Sequence, residues 1–190
     1  MDIFVFGTLR SDTLRKIVLG RDMSSDDICR ATIKDFRVYW AKEGPFPVMI
    51  PEPNSETHGL VLRNLSEPDI ERLNYYELGF DYVLAPTWVE THSGQIEVSA
   101  YFCNRSDMAT TKLWSFDDWL SDHSEIQYLA AREFLDFFDT KFGDTAQVMY
   151  NSILKRAEVF VSASSTPTSA LEIGPDMNTN IQLENLTREY

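Results

Sequence analysis

Basic residues are scarce in this sequence relative to acidic ones. Its 190 residues include 17 Lys and Arg against 30 Asp and Glu, which gives a formal net charge of −13. Nucleic-acid binding draws much of its affinity from Lys and Arg on phosphates, and binding to an anionic membrane surface depends on the same side chains. The charge balance therefore argues against nucleic acid and against a membrane surface as partners, and it favours solubility.

Cysteine, histidine and long apolar runs are also scarce. Cys29 and Cys103 lie far apart, which indicates a reducing compartment rather than a disulfide scaffold. His58, His92 and His123 show no HxH or HExxH spacing, so no metal site is expected. No apolar run approaches the roughly 18 residues of a membrane span, and the N-terminus lacks the basic region of a signal peptide. We expect a cytoplasmic protein.

Motifs that bind nucleotides or activate a serine are missing as well. The sequence contains no GxxxxGK[ST], no GxGxxG and no GxSxG. Asp117, Asp118 and Asp122 stand beside His123, but a solvated helix face is favoured over a cation site as the interpretation of this stretch. No cofactor is therefore expected.

Alternating and helix-periodic apolar patterns predict an α+β domain over residues 1–105. Ser66 suits the cap of a helix, Pro68 suits its first turn, and Gly79 suits its C-terminal stop. The order of elements favours a small mixed sheet or barrel. The predicted elements are a strand at 3–6, a helix at 11–19, two short strands within 28–41, a strand at 48–50, a turn-rich connection at 51–56, a strand at 58–65, a helix at 66–79, and a hairpin of strands at 82–91 and 95–103.

The composition changes after residue 105. Apolar and aromatic residues at helical spacing predict helices at 115–120, 125–142 and 144–161, and packing is favoured over a cofactor site as the role of these stripes. From Ser162 to Tyr190 the chain is rich in Ser, Thr, Pro and Asn, as in a tail or linker. The predicted organisation is a domain over 1–105, a helical extension over 106–161 that packs on it, and a tail over 162–190.

Two features of the first domain point to chemistry. The strand at 3–6 opens through Gly7 toward a helix, which leaves backbone N–H groups suited to a carboxylate or an oxyanion, although a purely structural glycine is the alternative. Glu77 lies at the end of the predicted helix beside two tyrosines, so its pKa is expected to rise toward neutrality. Such a carboxylate suits general acid–base catalysis, and a solvated residue at a helix end is the alternative.

Four segments of the first domain form a recognisable set of motifs. They are Phe4-Val5-Phe6-Gly7-Thr8-Leu9-Arg10, Pro45-Phe46-Pro47-Val48, Gly59-Leu60-Val61-Leu62, and Tyr75-Tyr76-Glu77 through Tyr82. Taken together, they resemble the γ-glutamylcyclotransferase-like (AIG2-like) family, whose pattern is a strand ending in YGTL or YGSL, followed later by a helix end of the type D-x-Y-E-G-x-x-Y. The resemblance covers about residues 1–105. It implies a small mixed β-barrel surrounded by helices, with a cavity between the first loop and the glutamate.

The resemblance also implies a reaction. In this family the α-amine of a γ-glutamyl group attacks its own γ-carbonyl, which releases an amine and forms 5-oxoproline without metal or cofactor. The family's glutamate corresponds to Glu77 as general acid and base. The backbone N–H groups of Gly7, Thr8 and Leu9 would hold the substrate carboxylate, and further substrate contacts are expected from the neighbouring residues at the implied cavity. These further residues are Phe6, Arg10, Pro47 and Tyr82.

Two departures from the family pattern keep a second interpretation open. Phe6 stands where the family usually has Tyr, and the Glu77-to-Tyr82 interval is one residue longer than usual. A binding or regulatory module that lost the chemistry is therefore the alternative to a cyclotransferase acting on a small γ-glutamyl compound.

A second resemblance concerns the helices that follow the first domain. The segment from Trp114 through Ala157 resembles the helical linker of bacterial proteins in which such a domain precedes a Nudix ADP-ribose pyrophosphatase domain, although no Nudix box follows here. This resemblance makes a Nudix domain a candidate partner. A second copy of the chain, in a homodimer, is another candidate. The chain is then either part of a longer protein or a standalone relative.

Overall fold

The fold is a closed barrel of five strands with helices packed on its outside. The computed structural model describes residues 1–77, 82–138 and 146–164. The strands are β1 (Ile3–Val5), β2 (Ile28–Ala41), β3 (Pro47–Leu62), β4 (Tyr82–Thr91), β5 (Gly94–Cys103) and β6 (Ala109–Leu113). The helices are α1 (Asp12–Leu19), α2 (Glu67–Glu77), α3 (Phe116–Asp122), α4 (Ser124–Leu135) and α5 (Ala146–Ser164). Among the described helices, none is long and apolar enough to cross a membrane.

Strand pairing closes the barrel in the order β3-β1-β5-β4-β2, after which β2 pairs with β3 again. The pairing of β1 with β5 is parallel, and the other pairings are antiparallel. The sixth strand, β6, extends the sheet by pairing with the end of β2. The predicted α+β class and small mixed β-barrel are therefore confirmed.

The strand β1 lies at the centre of the molecule because it separates two apolar cores. Successive side chains of a strand point to opposite faces. Phe4 faces the barrel interior with Val61 and Val98, while Ile3 and Val5 face the helices. Gly59 lets β3 approach closely here, since a Cβ at that position would stand 2.4 Å from the Val5 carbonyl oxygen and 2.6 Å from the Phe4 ring.

The core outside the barrel contains side chains from both sides of residue 105. Leu14 of α1 and Leu73 of α2 are fully buried there, together with Trp119, Phe134 and Ile153 from the three later helices. The helices after residue 105 therefore share one core with the elements that precede them.

The prediction of separate short strands within 28–41, and of a turn-rich connection at 51–56, is wrong. Each stretch belongs to one long strand, β2 or β3, and the two strands pair from Ile28 with Leu62 to Trp40 with Pro47. A bulge between Lys34 and Phe36 interrupts their register. Asp35 (φ 60°) and Asn54 (φ 64°) take left-handed backbone conformations there, and the Asn54 N–H donates to Asp35 Oδ1 at 2.8 Å. Asp35 and Asn54, which are typical turn residues, thus form part of a β-bulge within a pair of strands.

Most other predicted elements are found close to their expected bounds. The helix predicted from Ser66 begins at Glu67, and the Ser66 Oγ accepts a hydrogen bond from the Asp69 N–H at 3.4 Å. The hairpin of β4 and β5 is confirmed. The helix predicted at 125–142 ends earlier, at Leu135. The predicted stop at Gly79 and most of the predicted tail lie outside the described residues.

Candidate functional site

The first wall of the site is the turn that follows β1. Gly7 ends the strand, and a short 3-10 helix follows at Thr8–Arg10. Glycine is favoured at position 7, because a Cβ there would stand 2.4 Å from Pro47 Cγ and would force the ring or the turn to move. The absence of a side chain brings the turn against the start of β3. The predicted glycine turn is therefore a point of close backbone approach.

Hydrogen bonds at its carbonyl groups fix the orientation of this turn. The Arg10 N–H donates to Gly7 O, and the Ser11 N–H donates to Thr8 O, both at 3.0 Å. The buried Arg15 guanidinium donates to Leu9 O at 3.0 Å and to Arg10 O at 2.7 Å. The first N–H that donates within the turn is that of Arg10. The preceding N–H groups, those of Thr8 and Leu9, have no acceptor within the turn, as is general at the start of a helix. The carbonyl groups of residues 7–10 are thus occupied by hydrogen bonds within the protein.

Glu77 forms the opposite wall at the end of α2. The start of this helix is fixed by Asp69, whose carboxylate accepts hydrogen bonds from Arg21 at 2.9 and 2.7 Å and from the Ser66 N–H at 2.8 Å. Leu73 and Tyr76 are buried and hold the helix against the barrel. Anchored at both its start and its buried face, α2 presents Glu77 to the space beside β1.

The space between these walls is a small cavity that opens to solvent. Seven of the eight residues predicted for the site line it together, and they come from four separate parts of the chain. These seven are Phe6, Gly7, Thr8, Leu9, Pro47, Glu77 and Tyr82. The longer Glu77-to-Tyr82 interval therefore leaves Tyr82 at the cavity; residues 78–81 lie outside the described part of the chain.

Arg10 is the predicted site residue that does not line this cavity. Its guanidinium lies over the Phe116 ring, 4.5 Å from the ring centroid, and it lines a different groove that also contains His58 and His92. Burial lowers the pKa of Arg10, and Asp117 opposes this shift. The side chain turns toward α3 because a cation gains from contact with an aromatic face.

Burial raises the pKa of Glu77 to about 8. Among the described residues that line the cavity, none is Lys, Arg or His, so this part of the lining provides no cation that would stabilise the carboxylate. The predicted upward shift of this pKa is confirmed, and burial is its cause. A carboxyl group with this pKa exists in both protonation states near neutral pH.

Three tyrosines surround the glutamate. The pKa values of Tyr76, Tyr82 and Tyr101 are all raised, by burial first and then by the charge of Glu77 or of neighbouring groups. The Tyr82 hydroxyl donates to Pro47 O at 2.5 Å, and the Tyr101 hydroxyl donates to Asn74 Oδ1 at 2.8 Å. These phenols remain neutral at physiological pH and are held in fixed positions.

The lining also contains residues that the sequence analysis did not assign to the site, namely Phe4, Val5, Phe46, Tyr76, Tyr101 and Gln127. Gln127 of α4 is buried, and its Nε2 donates to the Tyr76 hydroxyl at 3.1 Å and also to the Tyr150 hydroxyl. A polar residue between the apolar positions of a helix is usually solvated, so local sequence gives no signal for this contact. Within the described ranges, no group of three or more His, Cys, Asp and Glu residues is placed to hold a metal ion.

Curated relatives of this chain occur in Arabidopsis thaliana. AIG2-like protein B is 27% identical over 138 residues, which cover 71% of this chain and 78% of the relative. Protein AIG2 A is 24% identical over 173 residues, which cover 89% of this chain and 94% of the relative. Both alignments extend well beyond the short motifs at the cavity.

Solved structures show the same fold. A solution structure of an Arabidopsis thaliana protein superimposes with a TM-score of 0.52 at 21% identity, covering 75% of this chain and 86% of that one. The family profile described as γ-glutamyl cyclotransferase, AIG2-like, matches residues 3–121. Since this match covers more than half of the chain, the protein belongs to the γ-glutamyl cyclotransferase, AIG2-like family.

Proposed function

We propose that the protein releases 5-oxoproline from a small γ-glutamyl compound by internal aminolysis, with Glu77 as general acid and base. The observation that carries this proposal is the position of one carboxyl group, with its pKa raised to about 8, across a cavity from the turn after β1. Membership of a family described as γ-glutamyl cyclotransferase supports the same reaction.

The pKa of Glu77 suits the proton that the reaction must move first. An α-ammonium group has an ordinary pKa of about 8, close to the raised value of Glu77. Proton transfer between groups of similar pKa is nearly balanced in free energy, which is the condition for efficient transfer in both directions. A carboxyl with an ordinary pKa would take this proton much less readily. In its ionised form, the Glu77 carboxylate in the cavity also attracts the ammonium group itself.

The bond changes follow from this proton transfer. Glu77 removes a proton from the α-ammonium, and the freed amine attacks the γ-carbonyl carbon to form the five-membered ring. Glu77 then donates that proton to the leaving nitrogen as the carbon–nitrogen bond breaks, and the ring nitrogen gives up a second proton by the same route. Both protons end on the leaving amine, so no water is consumed. Ring closure within one molecule already has a high effective molarity, and the protein needs only to orient the chain and move protons.

The turn after β1 supplies the group that orients the substrate. The N–H groups of Gly7, Thr8 and Leu9 are proposed to hold the substrate's carboxylate, because neighbouring backbone N–H groups at a turn form an anion-binding concavity. Arg15 supports this arrangement by binding the carbonyl groups of Leu9 and Arg10. Most residues of the lining are aromatic or apolar, which limits the number of polar groups that compete for the substrate.

A screen of γ-glutamyl amino acids, γ-glutamylamines and glutathione for release of 5-oxoproline tests the proposal. Wild type and Glu77→Gln are run side by side. Product from wild type alone, with a leaving amine identified by mass, is the expected result. Equal product from both proteins would remove Glu77 from the mechanism.

A binding or regulatory module is the second candidate, and Phe6 is the observation that favours it. The Phe6 ring lines the cavity without the hydroxyl that the family usually places there. A Nudix domain or a second copy of the chain would then be the partner of such a module. No product from any γ-glutamyl compound, combined with saturable binding of one of them, would favour this candidate over the enzyme.

A further inference from the structure

A groove on the outside of the barrel brings basic side chains together in a strongly acidic protein. It lies between the turn after β1, the aromatic ring of Phe116 on α3, and parts of β2, β3 and the end of β4. Its charged and titratable lining residues are Arg10, Arg30, His58, Glu90 and His92. With both histidines neutral, these side chains carry more positive than negative charge, whereas the whole chain has a net charge of −13.

Strand pairing places Arg30 close to the turn that bears Arg10. Leu60 of β3 pairs with Arg30 of β2 on one side and with Val5 of β1 on the other. Directly paired residues share one face of a sheet, and neighbouring strands lie about 4.8 Å apart. The turn begins at Gly7, immediately beyond the end of β1. The side chains of Arg10 and Arg30 therefore line the same groove.

The acidic side chains near the groove already interact with other cations or act at a distance. Lys34 Nζ lies 2.7 Å from Glu56 Oε2 and 3.4 Å from Glu90 Oε2. Asp117 is exposed and acts on Arg10 through its charge, and no hydrogen bond joins the two side chains. These carboxylates thus leave the hydrogen-bond donors of the groove available.

The available donors are those of the two arginines. His58 and His92 each hydrogen-bond with a neighbouring hydroxyl group at 2.9 Å. Within the described part of the chain, by contrast, no group accepts a hydrogen bond from the side chain of Arg10 or of Arg30. An arginine presents five N–H donors in a planar fork. The fork of Arg10 is also held in place, because it is half-buried and packs 4.5 Å from the centroid of the Phe116 ring.

We propose that this groove binds the phosphate group of a small soluble phosphate monoester through Arg10 and Arg30. The site is separate from the cavity at Glu77, and the inference goes beyond the proposed reaction. A phosphate monoester carries nearly two negative charges at neutral pH and has three acceptor oxygens, so it can accept from two guanidinium groups at once. Arginine matches phosphate with two parallel hydrogen bonds, which lysine cannot do. A carboxylate has a single charge and two oxygens, and it satisfies two arginines less well.

NMR titration with three small anions tests the site. Methyl phosphate, inorganic phosphate and acetate are compared at constant ionic strength and about pH 7.5, where phosphate is mainly a dianion. Methyl phosphate and inorganic phosphate are expected to shift the amide signals of residues 30–32 and 58–60, which line the groove. Acetate is expected to bind at least roughly tenfold more weakly, because it forms fewer hydrogen bonds with charged donors.

Substitutions at the two arginines test which residues bind the anion. Arg10→Gln and Arg30→Gln are each expected to weaken methyl phosphate binding roughly tenfold or more, through loss of hydrogen bonds between charged groups. Arg30→Lys keeps the charge without the fork, so its affinity is expected to fall between those of wild type and Arg30→Gln. Arg132→Gln is the matched control. It removes the same charge from an exposed position of α4 outside the groove and is expected to leave binding unchanged.

The outcomes separate a specific phosphate site from a general effect of charge. Wild-type affinity in Arg30→Gln would overturn the proposal, and so would an equal loss in Arg132→Gln. Because Arg30 is exposed, this variant keeps the test valid if Arg10→Gln does not fold. Shifts confined to the cavity residues, or none in wild type, would also overturn the groove as the site. Co-sedimentation with phosphatidic acid vesicles, without affinity for methyl phosphate, would overturn a soluble ligand. None of these measurements depends on turnover of a γ-glutamyl compound.

Discussion

Gly7 and Pro47, which both line the cavity, lie so close together that a Cβ on Gly7 would stand 2.4 Å from Pro47 Cγ. This approach joins the turn after β1 to the start of β3. The Tyr82 hydroxyl donates to the carbonyl of the same proline at 2.5 Å. Pro47 therefore links the turn after β1 to Tyr82 of β4, and the close approach of the turn to Pro47 depends on a residue without a side chain.

Gly7→Ala is expected to destabilise the protein and to impair ligand binding. Overpacking of this kind costs about 1–3 kcal/mol, because the proline ring or the turn must move. The free energy of unfolding from urea titration measures the effect. In the Pro47→Ala background, which removes the ring atoms of the clash, Gly7→Ala is expected to cost much less. An equal cost in both backgrounds would show that the contact does not limit position 7.

Glu77→Gln is expected to reduce turnover by at least about a hundredfold, which is the lower range for loss of a general acid–base group. The amide has nearly the same shape as the carboxyl, so the fold is expected to persist. Single-turnover release of 5-oxoproline measures the rate, and circular dichroism checks the fold. A variant that keeps near-normal turnover would contradict the assignment of Glu77.

The stability of wild type relative to Glu77→Gln is expected to fall as the pH rises. Folding raises the pKa of Glu77 from 4.5 to about 8, so between these values the folded state binds more protons than the unfolded state. Its free energy of unfolding therefore decreases with pH in this window, by roughly 2–4 kcal/mol for a partly exposed carboxyl. The variant lacks this dependence. Urea titrations of both proteins at pH 4 and pH 9 measure their free energies of unfolding. If wild type and Glu77→Gln differed in this free energy by the same amount at both pH values, the raised pKa would be contradicted.

The pH profile of kcat/KM is expected to rise through pH 8. Glu77 must be ionised to accept the α-ammonium proton, and below its pKa of about 8 the ionised fraction increases tenfold per pH unit. Above that pH the free substrate loses its own ammonium proton, so the profile is expected to level or fall. Initial rates at constant ionic strength from pH 5 to pH 10 give the profile. A rise that is complete near pH 5 would mean that another group, or a Glu77 with an ordinary pKa, controls the rate.

Asp69→Asn is expected to lower stability at neutral pH by about 1–3 kcal/mol, because it weakens the hydrogen bonds that the buried Asp69 carboxylate accepts from the exposed Arg21 and from Ser66. The hydrogen bonds from Arg21 and Ser66 lower the pKa of Asp69 to about 2. This stabilisation is present above the ordinary pKa of 3.8 and is lost as the pH falls through 2, so the two proteins should converge in acid. Asp22→Asn, at an exposed carboxylate paired with Lys16, is the control and is expected to have almost no effect.

Local signals in the sequence were sufficient where one segment determines its own structure. The cap at Ser66, the hairpin and the glycine turn all depend on neighbouring residues, and all of them are found. The long pair of β2 and β3 was missed because Asp35 and Asn54 have the chemistry of turn residues, and only the pairing of the two strands converts that turn chemistry into a bulge. Local composition does not contain such information.

The residues of the site were likewise predicted only in part. Glu77 and Gly7 could be identified because each breaks a local sequence pattern. The family motifs predicted that both residues lie at one cavity. Gln127 reaches Tyr76 across 51 residues of sequence, and Arg10 turns toward Phe116, more than one hundred residues away. Contacts of this kind depend on tertiary packing, and no periodicity within a single helix or turn predicts them.

The division of the apolar interior by β1 has a consequence for how this fold can be altered. The barrel interior packs around Phe4, whereas the helices pack on Ile3 and Val5 from the other side. Of the described residues of α4 and α5, Gln127 lines the cavity and hydrogen-bonds with Tyr150 behind it, and both belong to or contact the core outside the barrel. Substitutions at these two positions can therefore reshape the cavity while the barrel keeps the turn and Pro47 in place.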